Sequence, residues 1–219
     1  MEQGTIYYFK VLSIPWRIVS QDNGTALIFC SFILDNGRFN ANETREIDGE
    51  TIYPNNYKES EIRAWLNNEF YNTAFSQLHK ELIQITEVDN SAETTNSDTN
   101  IYACENTFDK VFLPSYQDVI NEDYGFSPSI ETDDEMRFID TSDYSRAVGA
   151  VISKEINHGL YGKGISMLRS PYDYEHGSNI VSGSGYVESV YGEAGGFVII
   201  ANVDTNQLGV APALVIDIA

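Results

Sequence analysis

The sequence predicts an α+β fold in which helices pack on a mostly antiparallel sheet, with strands supplied by both ends of the chain. Three observations support this prediction. Runs rich in β-branched and aromatic residues come first, helical periodicity follows, and short apolar runs separated by glycines come last. Strands grouped before and after helices are typical of α+β proteins, whereas regular alternation would indicate a parallel sheet. Because both ends contribute to one sheet, we predict a single domain over residues 1–219.

The composition favours a packed core and an acidic surface. Hydrophobic residues make up 42% of the 219 residues and charged residues 21%, which argues against global disorder. The formal net charge is −20, from 13 Lys and Arg against 33 Asp and Glu. Such a chain repels phosphate backbones, so we expect no nucleic-acid partner. No apolar run reaches the ~18 residues of a membrane span, so we expect no membrane insertion.

The chain begins with a predicted β-hairpin that pairs Pro15–Val19 with Ala26–Leu34. Both segments are rich in β-branched and aromatic residues, and the Asn-Gly pair at 23–24 adopts the positive φ angles of a tight turn at little cost. Cys30 lies in the apolar second strand, which indicates a buried thiol. Cys104 lies in a polar stretch, and the sequence leaves open whether the two cysteines form a disulfide.

The next part of the chain predicts two helices and a strand. The stretch SEIRAWLNNEFYNTAF places apolar residues on one face at helical spacing. Ser60 suits the N-cap, and Glu61 suits the positive end of the helix dipole. A shorter helix is predicted from Ser76, and the following QITEV has the composition of a strand. The apolar face of the first helix contains Ile62, Trp65, Leu66, Phe70 and Ala74.

The polar stretch Asp89–Asn100 lacks periodicity and predicts an exposed loop. A stretch of this kind can also link two domains. We prefer an exposed insertion near residues 89–106 of one domain, because the second half of the chain has no helix as apolar as the first around which to build its own core.

After this loop the pattern predicts a strand, two helical segments and a series of short strands. DKVFLPS is the strand, Ser115 and Asp118 have capping-box spacing before Gly125, and TSDYSRAVGAVIS is the next helix. Nine of the sixteen glycines lie between Gly159 and Gly196, which predicts short strands joined by tight turns. The last apolar run, GVAPALVIDI, has the composition of a central buried strand.

Four phrases of the sequence resemble one known family. They are IPWRIVSQDNGTALIFCSFIL, SEIRAWLNNEFYNTAF, DKVFLPS, and MLRSP followed by GVAPALVID. Their order and spacing resemble an uncharacterised bacterial domain family, a domain of unknown function with S-x-x-R-x-W-L-N, D-K-V-F-L-x-S, L-R-S-P and P-A-L phrases. The resemblance covers nearly the whole chain.

The second half of that family resembles the C-type-lectin-like fold, which is also the fold of formylglycine-generating enzymes and variable receptor proteins. The resemblance therefore implies a C-type-lectin-like second half in this chain. Tyr172 stands where the family has Gly after the L-R-S-P phrase, and Ala211 stands where it has Arg before P-A-L. These departures leave the scaffold intact and change the residues available to a ligand.

Arg169 and Arg63 are predicted to have structural roles. Arg169 lies between Leu168 and Pro171, and its five fixed donors suit an acidic partner that joins the sheet to the helices. An anion-binding role is the alternative. Arg63 belongs to the first helix but lies off its apolar face, and the same interpretation applies to it.

The candidate functional segment is Tyr172–Tyr191, which is rich in Tyr, Ser, Gly and Asn. Antibody paratopes have a similar composition, in which rigid aromatic area is combined with adaptable hydrogen bonding. The variable proteins of the lectin-like fold carry their ligand surface in this part of the chain, so the resemblance implies a binding role. Ordinary hairpin turns with half-exposed tyrosines are the alternative. The candidate ligand-binding residues are Tyr172, Asp173, Tyr174, His176, Asn179, Tyr186 and Tyr191.

The sequence contains no clear metal or catalytic motif. The stretch Glu131–Asp140 offers oxygen ligands but lacks calcium-loop spacing, so we expect a solvated helix start and no cofactor, with Ca²⁺ as the one alternative. Formylglycine-generating enzymes use cysteines in their C-terminal part, and this chain has none after Cys104. It has no G-x-S-x-G elbow, H-E-x-x-H motif or phosphate loop. Paired carboxylates leave no motif, so a hydrolase that uses them stays a hypothesis.

These observations favour a non-catalytic recognition module of a secreted or cell-surface bacterial protein, with a glycan or a protein as its ligand. A structural or adhesion module within a larger surface protein is the second hypothesis, and the carboxylate hydrolase is the third. The opening MEQGTIYYFK has no signal-peptide pattern. An extracellular location therefore assumes a leader that is absent from this chain, and a cytoplasmic location is the alternative.

Overall fold

The structure is a computed structural model that describes residues 6–9, 14–130, 134–153, 161–181, 187–189 and 202–218. The architecture is mixed α/β and mostly sheet, with several small sheets and few helices. The strands are β1 Ile6–Phe9, β2 Ile14–Asp22, β3 Thr25–Cys30, β4 Phe32–Ile33, β5 Asp35–Gly37, β6 Arg45–Ile47, β7 Glu50–Ile52, β8 Thr86–Val88, β9 Thr107–Asp109, β10 Asp140–Thr141, β11 Ser166–Pro171, β12 Ser178–Val181, β13 Val187–Ser189, β14 Leu208–Val210 and β15 Ala213–Asp217. The helices are α1 Glu61–Trp65, α2 Tyr71–Ala74, α3 Gln77–Leu82 and α4 Asp143–Ala147, with a π-helical turn Leu66–Phe70 between α1 and α2.

A four-stranded antiparallel sheet joins the two ends of the described chain in the order β1-β2-β3-β15. Its centre is the predicted hairpin, which is confirmed: β2 and β3 meet at a turn where Asn23 has φ 48° and Gly24 has φ 82°. These positive φ angles at both turn positions match the right-handed twist of the strands. The register shifts between Ile18 and Ser20, and both Ile18 and Val19 are consequently buried.

A five-stranded sheet has the order β13-β12-β11-β14-β5, and its β11–β14 pair is parallel. The run GVAPALVIDI therefore does not form one central strand as predicted, because it divides at Ala211–Pro212. Its first part, β14, lies between β11 and β5, while its second part, β15, lies next to β3 in the other sheet. Proline lacks the N–H that a continuous ladder needs, which favours a break at this point.

The outer side of β15 is closed by two other segments rather than left open. The backbone N–H of Phe112 donates to the carbonyl of Ala213 at 2.9 Å, and Ala213 donates back to Phe112. The N–H of Gln84 donates to the carbonyl of Val215 at 2.9 Å. The predicted strand DKVFLPS is thus confirmed in part, since β9 covers its beginning and Phe112 pairs with β15 as an isolated bridge.

The predicted first helix is confirmed, although its middle turn is π-helical. The hydroxyl of Ser60 accepts the N–H of Arg63 at 3.2 Å, as the capping prediction requires. Ile62, Leu66 and Phe70 are buried in the core. Trp65 is only half-buried, because it lies at the edge of this face. The shorter helix is confirmed as α3, whose N-cap Ser76 accepts the N–H of His79.

Polar side chains of this helix bind the segment that follows β9. The Arg63 guanidinium contacts the buried carboxylate of Asp109 at 2.8 Å, which confirms its structural role. The side-chain oxygen of Asn67 accepts the N–H of Lys110 at 2.8 Å, and its amide donates to the carbonyl of Val111 at 2.9 Å. The Arg and Asn of the S-x-x-R-x-W-L-N phrase therefore bind the D-K-V of the next phrase.

Arg169 is buried in the middle of β11 and joins it to two other regions of the chain. Its Nη1 atom donates to the carbonyl of Leu113 at 2.8 Å and to the carboxylate of Asp118 at 2.7 Å. Its Nε and Nη2 atoms donate to the carbonyl of Asp89 at 3.3 and 3.2 Å. The predicted structural role of Arg169, with an acidic partner in a short helix, is confirmed.

The predicted capping box near Asp118 is also confirmed. The N–H of Ser115 donates to the Asp118 carboxylate at 2.7 Å, and the N–H of Asp118 donates to the Ser115 hydroxyl at 2.9 Å. The segment is shorter than predicted and consists of single 3₁₀ turns that end at Gly125, which has φ 85°. The predicted helix TSDYSRAVGAVIS is likewise confirmed only as the short α4, with Ser142 as its N-cap.

The insertion near residues 89–106 is more firmly attached than its polar sequence predicts. Much of it is exposed, but Asn90, Thr95 and Asn100 are buried. The Ser170 hydroxyl donates to the carbonyl of Thr94 at 2.8 Å, and the Arg169 bonds to the Asp89 carbonyl hold the start of the segment. The insertion lacks apolar periodicity because polar side chains, rather than an apolar face, hold it in place.

One hydrophobic cluster includes residues from both halves of the chain. Its members are buried side chains of the two larger sheets, the first helix and the segment after β9. Representative members are Trp16, Ile28, Phe39, Leu66, Leu113, Met167, Ile180 and Leu214.

We predict that Arg169→Met lowers the free energy of unfolding by about 3–5 kcal/mol, because the Asp118 carboxylate loses its cationic partner and two backbone carbonyls lose the Arg169 donors inside the protein. Urea unfolding followed by circular dichroism measures this change. Asp143→Asn removes an exposed carboxylate that contacts Arg146 at 3.5 Å and should change stability far less. A similar small loss in both variants would contradict the role assigned to Arg169.

Candidate functional site

The loop between β11 and β12 carries the described part of the candidate segment. The N–H of Tyr172 donates to the carbonyl of Gly177 at 3.0 Å, and the N–H of Gly177 donates to the carbonyl of Tyr174 at 3.0 Å. An added Cβ at Gly177 would lie 3.3 Å from the Cβ of Tyr172, so glycine allows the tyrosine to pack against the turn. These contacts define a closed six-residue loop, Tyr172–Gly177.

A single buried asparagine holds this loop from below. Asn55 is fully buried, and its amide nitrogen lies 2.8 Å from the carbonyl oxygen of Tyr174, 3.2 Å from that of Gly177 and 3.4 Å from that of Tyr172. Three loop carbonyls thus converge on one donor group. Each of these carbonyls also accepts a backbone N–H from within the loop, so the amide adds a further donor and holds the loop from its buried side.

Two further asparagines bind the chain just before the loop. The amide of Asn100 donates to the carbonyl of Pro171 at 3.0 Å, and the amide of Asn179 donates to the carbonyls of Pro171 and Ser170 at 3.0 and 3.2 Å. The β11–β12 register shifts between Met167 and Pro171, so these carbonyls are available to side chains. Asn179 is 0% exposed and lies beneath the loop, not on its surface as the sequence suggested.

Two tyrosines from distant loops complete a surface around Tyr172–Gly177. We call this the tyrosine surface and define it by Tyr53, Tyr102, Tyr172, Asp173, Tyr174, Glu175 and His176. The rings of Tyr53 and Tyr102 lie 5.0 Å apart at 79°, and those of Tyr174 and His176 lie 5.3 Å apart at 72°. Tyr174 is 38% exposed, and the other three tyrosines are half-buried. The rings therefore form corners rather than one flat platform.

Carboxylates make this surface electronegative. Burial raises the pKa of the Tyr102 hydroxyl, and the negative charges of Glu175 and Asp173 raise it further. Glu175 contacts the Nε2 atom of His176 at 2.8 Å, and Asp173 is exposed. In the part of the chain that the structure describes, neither carboxylate forms a salt bridge with a lysine or an arginine.

The structure brings together four of the seven sequence-predicted residues, namely Tyr172, Asp173, Tyr174 and His176. Tyr186 and Tyr191 lie outside the described residues. The sequence analysis missed Tyr53, Tyr102 and Glu175. Glu175 lies inside the nominated segment, whereas no sequence signal links the loops of Tyr53 and Tyr102 to it. A single tyrosine in a loop is too common a pattern to indicate a site.

A separate groove lies between β5 and α1 and has a volume of about 250 Å³. It holds two carboxylates, Asp35 and Glu61, next to Trp65. Burial raises the pKa of Asp35, whose carboxylate accepts the N–H of Asn36 at 2.8 Å. Glu61 receives two hydrogen bonds from the Arg38 guanidinium, at 2.7 and 2.8 Å. A carboxyl group whose pKa is raised by burial thus shares a groove with one paired to a cation.

In the acidic stretch Glu131–Asp140, the described residues 134–140 form hydrogen bonds and ion pairs with the rest of the protein. Asp134 accepts the N–H groups of Ser127 at 2.7 Å and Met136 at 2.9 Å, so it does begin a short helical turn. It is buried rather than solvated, because these donors and Arg137 surround it. Asp140 contacts Lys163 at 2.7 Å. Among the described residues, no group of three or more His, Cys, Asp or Glu side chains is placed to hold a metal ion.

Both cysteines lie in the described part of the chain as free thiols. Burial raises the pKa of Cys30 to about 12, and burial also raises the pKa of Cys104. Since the thiolate is the reactive form, these environments suit structural thiols rather than nucleophiles.

The chain is thus a mixed α/β, mostly sheet protein with a tyrosine-lined loop held by buried amides. Residues 23–218 match the family model described as a domain of unknown function, DUF6273, and the chain belongs to this family. This confirms the family predicted from the sequence. No curated protein and no solved structure matches the chain. Within the described residues, no helix is both long enough and apolar enough to cross a membrane.

We predict that Asn55→Ala loosens the loop Tyr172–Gly177 and lowers the free energy of unfolding by about 1–3 kcal/mol, because three carbonyls lose a buried donor. Hydrogen–deuterium exchange should show faster exchange of the Tyr174 and Gly177 amides than in the wild type. Asn72→Ala, which truncates an exposed asparagine on α2, serves as the control. Unchanged exchange in Asn55→Ala would refute the proposed clamp.

Proposed function

We propose that the chain is a non-catalytic recognition module of a secreted or cell-surface bacterial protein, and that it binds a glycan or a protein through the tyrosine surface. One observation carries the proposal. The backbone of Tyr172–Gly177 is held by the buried Asn55, while Asp173 and Tyr174 are exposed. A loop fixed from below with aromatic side chains above it has the construction expected of a binding surface.

The physical advantage of this construction is a small entropic cost of binding. Tyrosine offers a large contact area with two rotatable side-chain bonds, and a fixed backbone loses little freedom when a ligand arrives. Its hydroxyl can also hydrogen-bond at the edge of the contact. Ordinary hairpin turns do not require three carbonyls to converge on one buried amide.

We further propose that the second half of the chain is C-type-lectin-like. The sequence resemblance supports this. In the variable proteins of that fold the ligand surface lies in the corresponding part of the chain. The loop between β11 and β12 would then be part of the ligand surface.

We predict that Tyr174→Ala weakens ligand binding about tenfold or more, because an exposed aromatic anchor is lost. The purified chain is screened on a glycan array and on an array of extracellular proteins, with and without Ca²⁺. Tyr144→Ala is the matched control, since Tyr144 is 61% exposed on α4. Binding that both variants weaken equally, or that neither weakens, would place the site elsewhere. Binding to no array would favour the structural or adhesion module.

The groove between β5 and α1 favours the hydrolase hypothesis as a second candidate. Its two carboxylates differ in environment, since burial favours the protonated form of Asp35 while Arg38 pairs with Glu61. An acid of raised pKa next to an ionised one is the arrangement that glycoside hydrolysis uses. Trp65 in the same groove offers an aromatic surface to a sugar ring.

If this candidate holds, Asp35→Asn lowers the rate of hydrolysis of aryl glycosides at least ~100-fold, because the general acid is lost. In the wild type the rate falls as pH rises through the raised pKa of Asp35, since the acid then loses its proton. Release of the aryl group measures the rate, with Asp143→Asn as the control. Absence of turnover across a substrate panel would remove the hydrolase candidate and leave recognition.

A further inference from the structure

We infer that the ligand of the tyrosine surface is cationic, and specifically a protein segment that presents lysine or arginine side chains. This inference rests on the proposed function, because it names the ligand class of the same surface. It is carried by aromatic rings together with two carboxylates that pair with no lysine or arginine among the described residues.

Carboxylates without a lysine or arginine partner would not by themselves carry this inference. The chain has 33 Asp and Glu against 13 Lys and Arg, so many acids lack a basic partner wherever they lie. What distinguishes Glu175 is its place beside an aromatic pair, because it contacts His176 at 2.8 Å and the His176 ring lies 5.3 Å from that of Tyr174. Asp173 is exposed in the same loop, directly before Tyr174. Negative charge and aromatic rings therefore occupy the same surface.

Aromatic rings next to negative charge attract cations. The face of a tyrosine ring is the negative part of its quadrupole, and a guanidinium or ammonium group is attracted to it. Nearby carboxylates add a Coulombic attraction that reaches about a Debye length through water. Glu175 contacts His176, whose ring lies against that of Tyr174, and Asp173 lies in the same loop. A basic side chain at this place would therefore be attracted by the rings and by the carboxylates.

The same chain already uses tyrosine in this way within its own fold. The Nζ atom of Lys110 lies 4.2 Å from the ring centroid of Tyr71, and that of Lys80 lies 5.0 Å from it. In the tyrosine surface the rings lie together with carboxylates. A basic side chain from a partner fits this arrangement.

Ring geometry favours a basic side chain over a neutral sugar. A sugar stacks best on one flat aromatic face, whereas the Tyr53–Tyr102 and Tyr174–His176 pairs meet at 79° and 72°. Two such corners offer ring faces in different directions, which suits compact charged groups that reach them on flexible stems. Two corners also suit a segment with more than one basic residue.

The test measures binding of three synthetic octapeptides by isothermal titration calorimetry: alternating Gly-Lys, Gly-Gln and Gly-Glu. The informative variant is Asp173→Asn with Glu175→Gln, which keeps every ring and removes both charges. Because a chain of net charge −20 attracts basic peptides everywhere, a charge-matched control is needed. Glu81→Gln with Asp143→Asn removes two exposed charges from α3 and α4.

We expect the Gly-Lys peptide alone to bind, with an affinity that falls as salt rises from about 0.05 M to about 0.5 M because screening weakens the attraction. The Asp173→Asn, Glu175→Gln variant should bind it at least tenfold more weakly, and the control variant should bind it as the wild type does. Tyr174→Ala should also weaken binding, which separates an aromatic contribution from charge alone.

Equal weakening in the two double variants would overturn the inference, since the attraction would then be general rather than local. Binding of a neutral glycan that depends on Tyr174 but not on Asp173 and Glu175 would also overturn it, while leaving the proposed recognition function intact. If neither the peptides nor any arrayed glycan or protein binds, the proposed function and this inference both fail.

Discussion

The buried guanidinium of Arg169 is the interaction on which the arrangement of the two halves depends. It lies in β11 of the five-stranded sheet and binds Asp89, Leu113 and Asp118 at once. An arginine suits this position because its five donors are spread over three nitrogen atoms and reach acceptors that lie apart, whereas the three donors of a lysine share one nitrogen atom. Where Arg169 binds, the polar insertion, the segment after β9 and the capping box of Asp118 all meet one strand. The loop Tyr172–Gly177 then leaves that strand from a fixed point.

Near the candidate site, buried asparagine amides bind backbone carbonyls as Arg169 does. Asn55, Asn100 and Asn179 bind the carbonyls that irregular backbone after β11 leaves without ladder partners. These amides add donors on the buried side of the loop to the backbone hydrogen bonds that the loop forms within itself. Rigidity of the backbone and exposure of the side chains are therefore compatible. The asparagine hydrogen bonds lie beneath the loop, and the tyrosines and carboxylates lie on its outer side.

The sequence predicted those features that depend on local chemistry. The hairpin follows from the turn chemistry of Asn-Gly, the first helix from the Ser60 cap and its apolar spacing, and the role of Arg169 from a basic residue in an apolar phrase. Features that depend on contacts between distant segments could not be predicted. Asn179 resembles any polar loop residue in the sequence, and its burial reflects a register shift in β11. Tyr53 and Tyr102 lie at the site because the fold brings three loops together. No periodic pattern in the sequence predicts this contact.

The division of residues 208–217 between the two large sheets also constrains how the protein acquires its fold. β14 completes the middle of one sheet, and β15 pairs with β3, so that Ala213 lies opposite Phe29. During synthesis the early hairpin emerges long before its β15 partner, and contacts so distant in sequence form slowly. The edge of β3 is therefore unpaired until β15 leaves the ribosome. The high negative charge of the chain opposes aggregation at this stage, because nascent chains repel one another and do not pair at the open edge of β3.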